Sequence, residues 1–167
     1  MTEECRDPLQ RELIDAAKNW LAIDGLWFLA IEERYGLETA IECDAAVWKK
    51  FSLIEAERII SRLKLAENGG LDSLEIALRH RLFSLLNTYV MKRPDESTLE
   101  WYMTSCRTQT ARERKGLPLF PCKVIGEIDY TSFASRIDHR ITTTCLSCPP
   151  DPRSETFFCG WRFSLEE

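Results

Sequence analysis

Cys145 and Cys148 form a C-x-x-C, and Cys106, Cys122 and Cys159 crowd into the same final third of the chain, so five of its seven cysteines fall together. Thiolates are metal ligands, nucleophiles or redox groups before they are packing material. Cys122, Cys145, Cys148 and Cys159 meet the donor count of a tetrahedral zinc site or of an iron–sulfur cluster. The spacing selects neither. Zinc ribbons carry two C-x-x-C pairs and cluster motifs three closely spaced cysteines, whereas this chain has one pair. His139 is the fifth candidate ligand, although a histidine beside Asp138 more often makes a surface hydrogen bond. Catalytic or redox thiols compete with the metal reading, as do inert cysteines packed as small hydrophobes.

The other candidates are charged. Residues 101–163 carry nine Lys/Arg against six Asp/Glu, while the net charge is −5. The cysteines thus lie in the basic part of an acidic chain, where Arg107 and Arg112 can attract a small anion or stabilise a thiolate. A solvated basic face is the alternative. Asp24 sits on the same helical face as Ala17, Trp20, Trp27 and Ile31. A carboxyl group there is partly desolvated, a candidate ligand contact with Trp27 at its side; local hydrogen bonding near Gly25 is the plainer reading. Nucleic-acid binding is not expected of an acidic chain without a recognised module.

These residues need elements to position them. Asp7-Pro8 reads as a helix start, and the apolar stripe from Leu13 to Ile31 carries that helix to Gly36. A second helical stretch covers about Glu38 to Ala66, with a capping box at Ser52-Leu-Ile-Glu55 suggesting a junction near Phe51. A third runs from Asp72 to about Met91, and Lys92–Glu96 is a break. Beyond it come a strand over Ser97–Cys106, a short helix over Thr108–Lys115 and a two-proline connector to Cys122. A helix over Glu127–Ile137 follows, then strands over Arg140–Cys145 and Thr156–Phe163. The last two strands form a hairpin with the C-x-x-C at its tip, so Cys159 approaches Cys145 across the ladder. The expected fold is α+β: an N-terminal helical bundle (residues 1–93) on a small antiparallel sheet with a cysteine-bearing hairpin (residues 94–167), the two parts sharing one core. Trp101, Trp161 and Phe163 are candidates for either that core or a homodimer face.

At 167 residues the chain supports one substantial core. No apolar run approaches the roughly 20 residues of a membrane span. The acidic, polar start reads as no signal peptide, so a cytoplasmic protein with reduced cysteines is expected.

Trp20–Gly36 (W-L-A-I-D-G-L-W-F-L-A-I-E-E-R-Y-G), Cys106–Lys123, Ile137–Asp151 and Phe158–Phe163 together resemble an uncharacterised family of small prokaryotic cytosolic proteins. That family is distantly similar to L-2-amino-thiazoline-4-carboxylic acid hydrolases. The last strand–turn–strand is also similar to vinyl-reductase-type ligand-binding domains. The hydrolase resemblance implies opening of a sulfur-containing ring by water across C=N, which needs an activated nucleophile or metal-bound water and a proton donor. Cys106 or Cys145 would then supply a thiolate, Arg107 or Arg112 would hold the substrate carboxylate, and Asp151 would act as acid or base.

Three readings follow. The first is a site built from cysteines for zinc, an iron–sulfur cluster or a small anionic ligand. The second is a thiol-dependent hydrolase of small heterocycles or amides. The third is an interaction protein with packed, inert cysteines.

Overall fold

The computed structural model describes residues 7–152 and 154–166. Two long helices open the chain: α1 (Pro8–Tyr35), with Pro8 at its first turn, and α2 (Leu37–Leu63). Only Gly36 separates them. Its φ of 87° lies where side-chain-bearing residues are strained, and this lets α2 reverse direction over α1 within one residue. Neither Gly25 nor Ser52 interrupts its helix. Ser52 is fully buried, and its Oγ lies 2.7 Å from Trp48 O and 2.5 Å from Asp129 Oδ1, sharing its one proton between them. The Ser52–Glu55 pattern is therefore a polar patch on a buried face, not a helix start.

Helices α3 (Gly70–Arg79) and α4 (Leu82–Leu86) end sooner than the sequence suggests. Thr88–Asp95 is strand β1, not the tail of a helix, and it pairs antiparallel with β2 (Thr98–Ser105). Its β-branched and aromatic residues, Thr88, Tyr89 and Val90, suit a pleated surface once a partner strand is present. After α5 (Arg107–Arg114) comes α6 (Lys123–Ile137), four residues earlier than expected, then β3 (Ile141–Ser147) and β4 (Cys159–Leu165). The sheet order is β1-β2-β4-β3, antiparallel throughout.

The fold class is α+β as expected, with the two long helices first and the cysteine-bearing hairpin last. Trp101, Met103, Trp161 and Phe163 project from one sheet face onto Phe133, Ala134 and Ile137 of α6 and onto Leu74 and Leu78 of α3. Trp101, Trp161 and Phe163 are essentially inaccessible, so they build the core rather than a dimer face. Gly126 lets α6 come this close: a Cβ there would stand 2.5 Å from Trp161 Cζ2. A second cluster joins Trp48, Phe120 and Ile125 with Trp20, Phe28 and Phe83. It ties α1, α2 and α4 to the connector before α6. No helix among the described residues is long and apolar enough to cross a membrane.

Candidate functional site

Four of the five late thiols converge. Cys106 and Cys122 flank α5 and its connector, Cys148 follows β3, and Cys159 opens β4. All four line a chamber of about 130 Å³ roofed by the aromatic cluster. The positions follow from local structure. Gln109, fully buried, accepts from Phe120 N (2.8 Å) and donates to Phe120 O (2.9 Å), which fixes the connector against α5. Cys122 is thereby set at the N-cap of α6. The turn after β3 is held from both sides. Lys123 N donates to Pro149 O (3.0 Å), and Asp151 accepts from Cys148 N (3.2 Å) while pairing with Lys123 Nζ (2.9 Å). This brings Cys148 Sγ to 3.4 Å from Cys122 Sγ.

The thiols differ in protonation. Cys122 is held below its ordinary pKa because Cys148 donates to it, an effect larger than the opposing burial; Gln109 Nε2 at 3.6 Å adds to it. A helix N-terminus stabilises the same anion. Cys148 is pushed far up by donating to Cys122 and by its hydrogen bond with Cys159, so it stays a thiol. Burial pushes Cys106 up to about 12 and Cys145 up to about 11. Among the thiols whose protonation the structure shifts, Cys122 alone is held towards its anion.

A larger chamber of about 370 Å³ lies beside the first, between α1 and α5, and shares Asp24, Asp44, Thr108 and Phe120 with it. Its walls are apolar: Leu21, Leu26, Phe28, Leu29, Ala111 and Leu117. Lys18, Arg107 and Lys115 line it too. Arg112 does as well, but its guanidinium is taken: it binds Glu32 through two nitrogens (3.0 and 3.2 Å) and Pro118 O through Nε (2.8 Å). Asp44, between the chambers, is pushed up to about 7, first by burial and then by the nearby Asp24 carboxylate. Burial raises Asp24 also.

The sequence candidates are thus distributed unevenly. Asp24, Arg107, Arg112, Cys106, Cys122, Cys148 and Cys159 line one or both chambers. Trp27 is 67% exposed and lines neither. Asp151 holds the Cys148 turn instead of facing either chamber. Cys145 also stays outside, with Lys123, Asp151 and Glu127 as its charged neighbours. Its strand partner is Trp161, not Cys159, whose Cα partner is Met103 of β2. An irregularity between Cys145 and Ser147 shifts the register, so the two C-x-x-C thiols serve different surroundings. His139 faces Asn68 Oδ1 (3.1 Å) and lines neither chamber. Among the described residues, no three His, Cys, Asp or Glu side chains are placed to hold a metal ion.

Asp44, Gln109 and Asp129, which line the chambers, escaped sequence reasoning, as did Arg81 and Glu55, which form a buried group with Asp129. A signal existed for the acids. Asp129 interrupts the i+4 row Ile125, Phe133, Ile137, Glu55 interrupts Trp48, Ser52, Ile59, and Asp44 falls between Ile41 and Trp48. A carboxyl group inside an apolar row is buried with a partner or has a raised pKa.

Asp44 makes stability depend on pH. Its folded pKa of about 7 lies above the ordinary carboxyl value of about 4, so the folded state holds the proton more tightly. Its contribution to stability is full below about pH 4 and is lost progressively as pH rises towards 7. Asp44→Asn keeps an acceptor for Trp48 and removes the penalty. A rise from about 4 to about 7 corresponds to about 4 kcal/mol for a fully enclosed group. Because Asp44 is only partly buried, we expect about 1 kcal/mol of stabilisation at pH 8 and a negligible effect at pH 4, as read by urea unfolding. Equal effects at both pH values would show that Asp44 ionises normally.

The sheet-on-helices fold and the two adjoining chambers, the inner one lined by four thiols, define an α+β protein. The chain belongs to DUF6125, a family of unknown function, whose model matches residues 3–165. No curated protein matches it.

Proposed function

We propose that this protein binds a small amphiphilic anion in the double chamber and acts on it through the Cys122 thiolate, as a thiol-dependent hydrolase of small amides or C=N heterocycles bearing a carboxylate. The observation that carries this reading is the placement of Cys122, the one thiol held towards its anion, in the same chamber as Asp44, whose carboxyl group titrates near pH 7. A nucleophile and a proton donor poised near neutral pH are what such a reaction needs. The apolar outer chamber suits the body of the ligand. Arg107, Lys18 and Lys115 have no ion-pair partner among the described residues and suit its carboxylate. In the reaction the Cys122 sulfur adds to the electrophilic carbon, Asp44 gives its proton to the nitrogen, and the C–N bond breaks to leave an acyl-type Cys122 adduct and a free amine. Water then adds to that carbon, giving a proton back to the Asp44 carboxylate, and Cys122 leaves as the thiolate. The resemblance to thiazoline carboxylate hydrolases points to the same substrate chemistry.

Zinc or an iron–sulfur cluster on Cys122, Cys145, Cys148 and Cys159 fits the arrangement less well, because no three His, Cys, Asp or Glu side chains among the described residues are placed to hold a metal ion. The test is alkylation of a Cys5→Ser, Cys43→Ser background, which removes the two early cysteines. Iodoacetate at pH 7 should label Cys122 alone, faster than free cysteine and faster than neutral iodoacetamide does, with Arg107→Met removing the preference for the anion. Hydrolysis of carboxylated thiazolines and small amides, absent in Cys122→Ser, would complete the case. Slow labelling spread over several thiols would sink it. So would an equivalent of zinc or iron that is lost in Cys122→Ser.

A further inference from the structure

The 3.4 Å between Cys122 and Cys148 is more than a hydrolase needs. A single thiolate suffices for nucleophilic attack on carbon, yet here a second thiol lies within hydrogen-bond distance of the first. The two sulfurs are about 1.4 Å farther apart than a bonded pair, a gap that side-chain rotation spans. Both backbones are fixed independently of the sulfurs, Cys122 through Gln109 and Phe120, Cys148 through Asp151 and the Lys123 N–Pro149 O bond. The pair therefore stays in register whether reduced or bonded. The roles are unequal: Cys122 sits at a helix N-cap with the Gln109 amide donating to it, and Cys148 is almost wholly buried behind it.

We propose that Cys122 and Cys148 form a dithiol that reduces small disulfides bearing a carboxylate, with Cys122 attacking and Cys148 resolving. The Cys122 sulfur attacks one sulfur of the substrate, whose S–S bond breaks and releases the first product as a thiolate. Cys148 then attacks Cys122 Sγ, breaking the mixed disulfide and releasing the second product. The proton of Cys148 leaves on one of the two released thiols. The substrate gains two electrons, and the protein is left with a Cys122–Cys148 disulfide, reopened by any excess of small thiol. The substrate class follows from the same cleft: an apolar, cation-bearing outer chamber for the body and carboxylate, and a narrow inner chamber for the S–S bond. Cys159, hydrogen-bonded to Cys148, is not required for the exchange.

This inference rests on Cys122 being the reactive thiolate, and the experiment separates the two. Reduced full-length protein in the Cys5→Ser, Cys43→Ser background is treated without oxygen with lipoate, or with oxidised glutathione, then acid-quenched, alkylated and mapped by peptide mass. The expected product is one internal disulfide, Cys122–Cys148. In Cys148→Ser, glutathione should remain on Cys122, the mixed adduct living about 100-fold longer than in the parent. Cys148→Ala, checked for a native circular dichroism spectrum, should behave alike, and Cys145→Ser, outside both chambers, should match the parent. A parent that accumulates the mixed adduct as Cys148→Ser does, or that bonds another pair, overturns the proposal. If no disulfide forms while iodoacetate still labels Cys122, the dithiol is wrong and the thiolate stands. If Cys122 reacts with neither, both fall.

Discussion

Replacing Arg81 by methionine should destabilise the fold by about 4 kcal/mol, the largest effect expected of any single substitution outside the hydrophobic core. Arg81 is 3% exposed. Its Nε donates to Glu55 Oε2 (2.8 Å) and its Nη2 to Asp129 Oδ1 (2.7 Å), while its guanidinium lies 4.4 Å from the Phe133 ring centre. Burial by itself favours loss of the charge, but the two carboxylates more than offset this and hold the proton more tightly than usual. The group is otherwise complete: Glu55 Oε1 accepts from Leu82 N (3.1 Å) and Asp129 Oδ1 from Ser52. Methionine fills much of the space yet leaves two buried carboxylates without their cation, and that desolvated charge dominates the loss. Two consequences can be measured by urea unfolding. The loss should shrink at low pH, where the orphaned carboxyl groups can take protons. Adding Glu55→Gln and Asp129→Asn to Arg81→Met should recover most of it, because the uncompensated charge is then gone. A loss below about 1 kcal/mol would show that the group is solvated and adds little.

Gly126→Ala should cost about 2 kcal/mol although alanine is the better helix former. In an exposed helix the exchange would gain up to about 1 kcal/mol. Here the new methyl group would stand 2.5 Å from Trp161 Cζ2 and 2.9 Å from Cη2, against the 3.5 Å or more of a comfortable carbon contact. Trp161 is fully buried, with Tyr130 at 4.8 Å between ring centres, so its ring cannot swing aside. Overpacking of this kind costs roughly 1–3 kcal/mol and outweighs the propensity gain. The two residues should be coupled: Trp161→Leu alone leaves a void, but with Gly126→Ala it should lose less than the sum of the two changes. Strict additivity would mean that α6 shifts as a body. Both residues line the inner chamber, so the double variant should also alter the alkylation rate of Cys122 without abolishing it.

These two residues show why parts of the site were hidden in the sequence. Gly126 looked like an ordinary helical glycine, and only the approach of α6 to β4 makes its missing side chain matter. Arg81 stood in a polar turn, His80-Arg81, with nothing to mark it as buried. Its partners, 26 and 48 residues away, come together only when α2 and α6 pack on the α3–α4 corner.

The residues alone determined a good deal. Periodic apolar rows set the long helices, Asp7-Pro8 and Gly36 set the ends of the first, and β-branched runs set β3 and the neighbourhood of β4. These are local signals, carried by backbone preference and by the 3.6- and 2-residue repeats, and they suffice for an α+β assignment. The crowding of thiols marked the inner chamber, and Asp24, Arg107 and Arg112 were legible as residues that line one or both chambers. Tertiary structure decided the rest. The strand register sent Cys145 away from Cys148 and set Cys159 against Met103, a distinction of one bulge that no spacing rule encodes. Packing against β2 turned Thr88–Met91 from helix into strand. What holds Cys122 towards its anion is the Gln109-held connector, the start of α6 and a hydrogen bond from Cys148, 26 residues away. Protonation depends on which donors and charges share an enclosed space, and that is a property of the assembled fold.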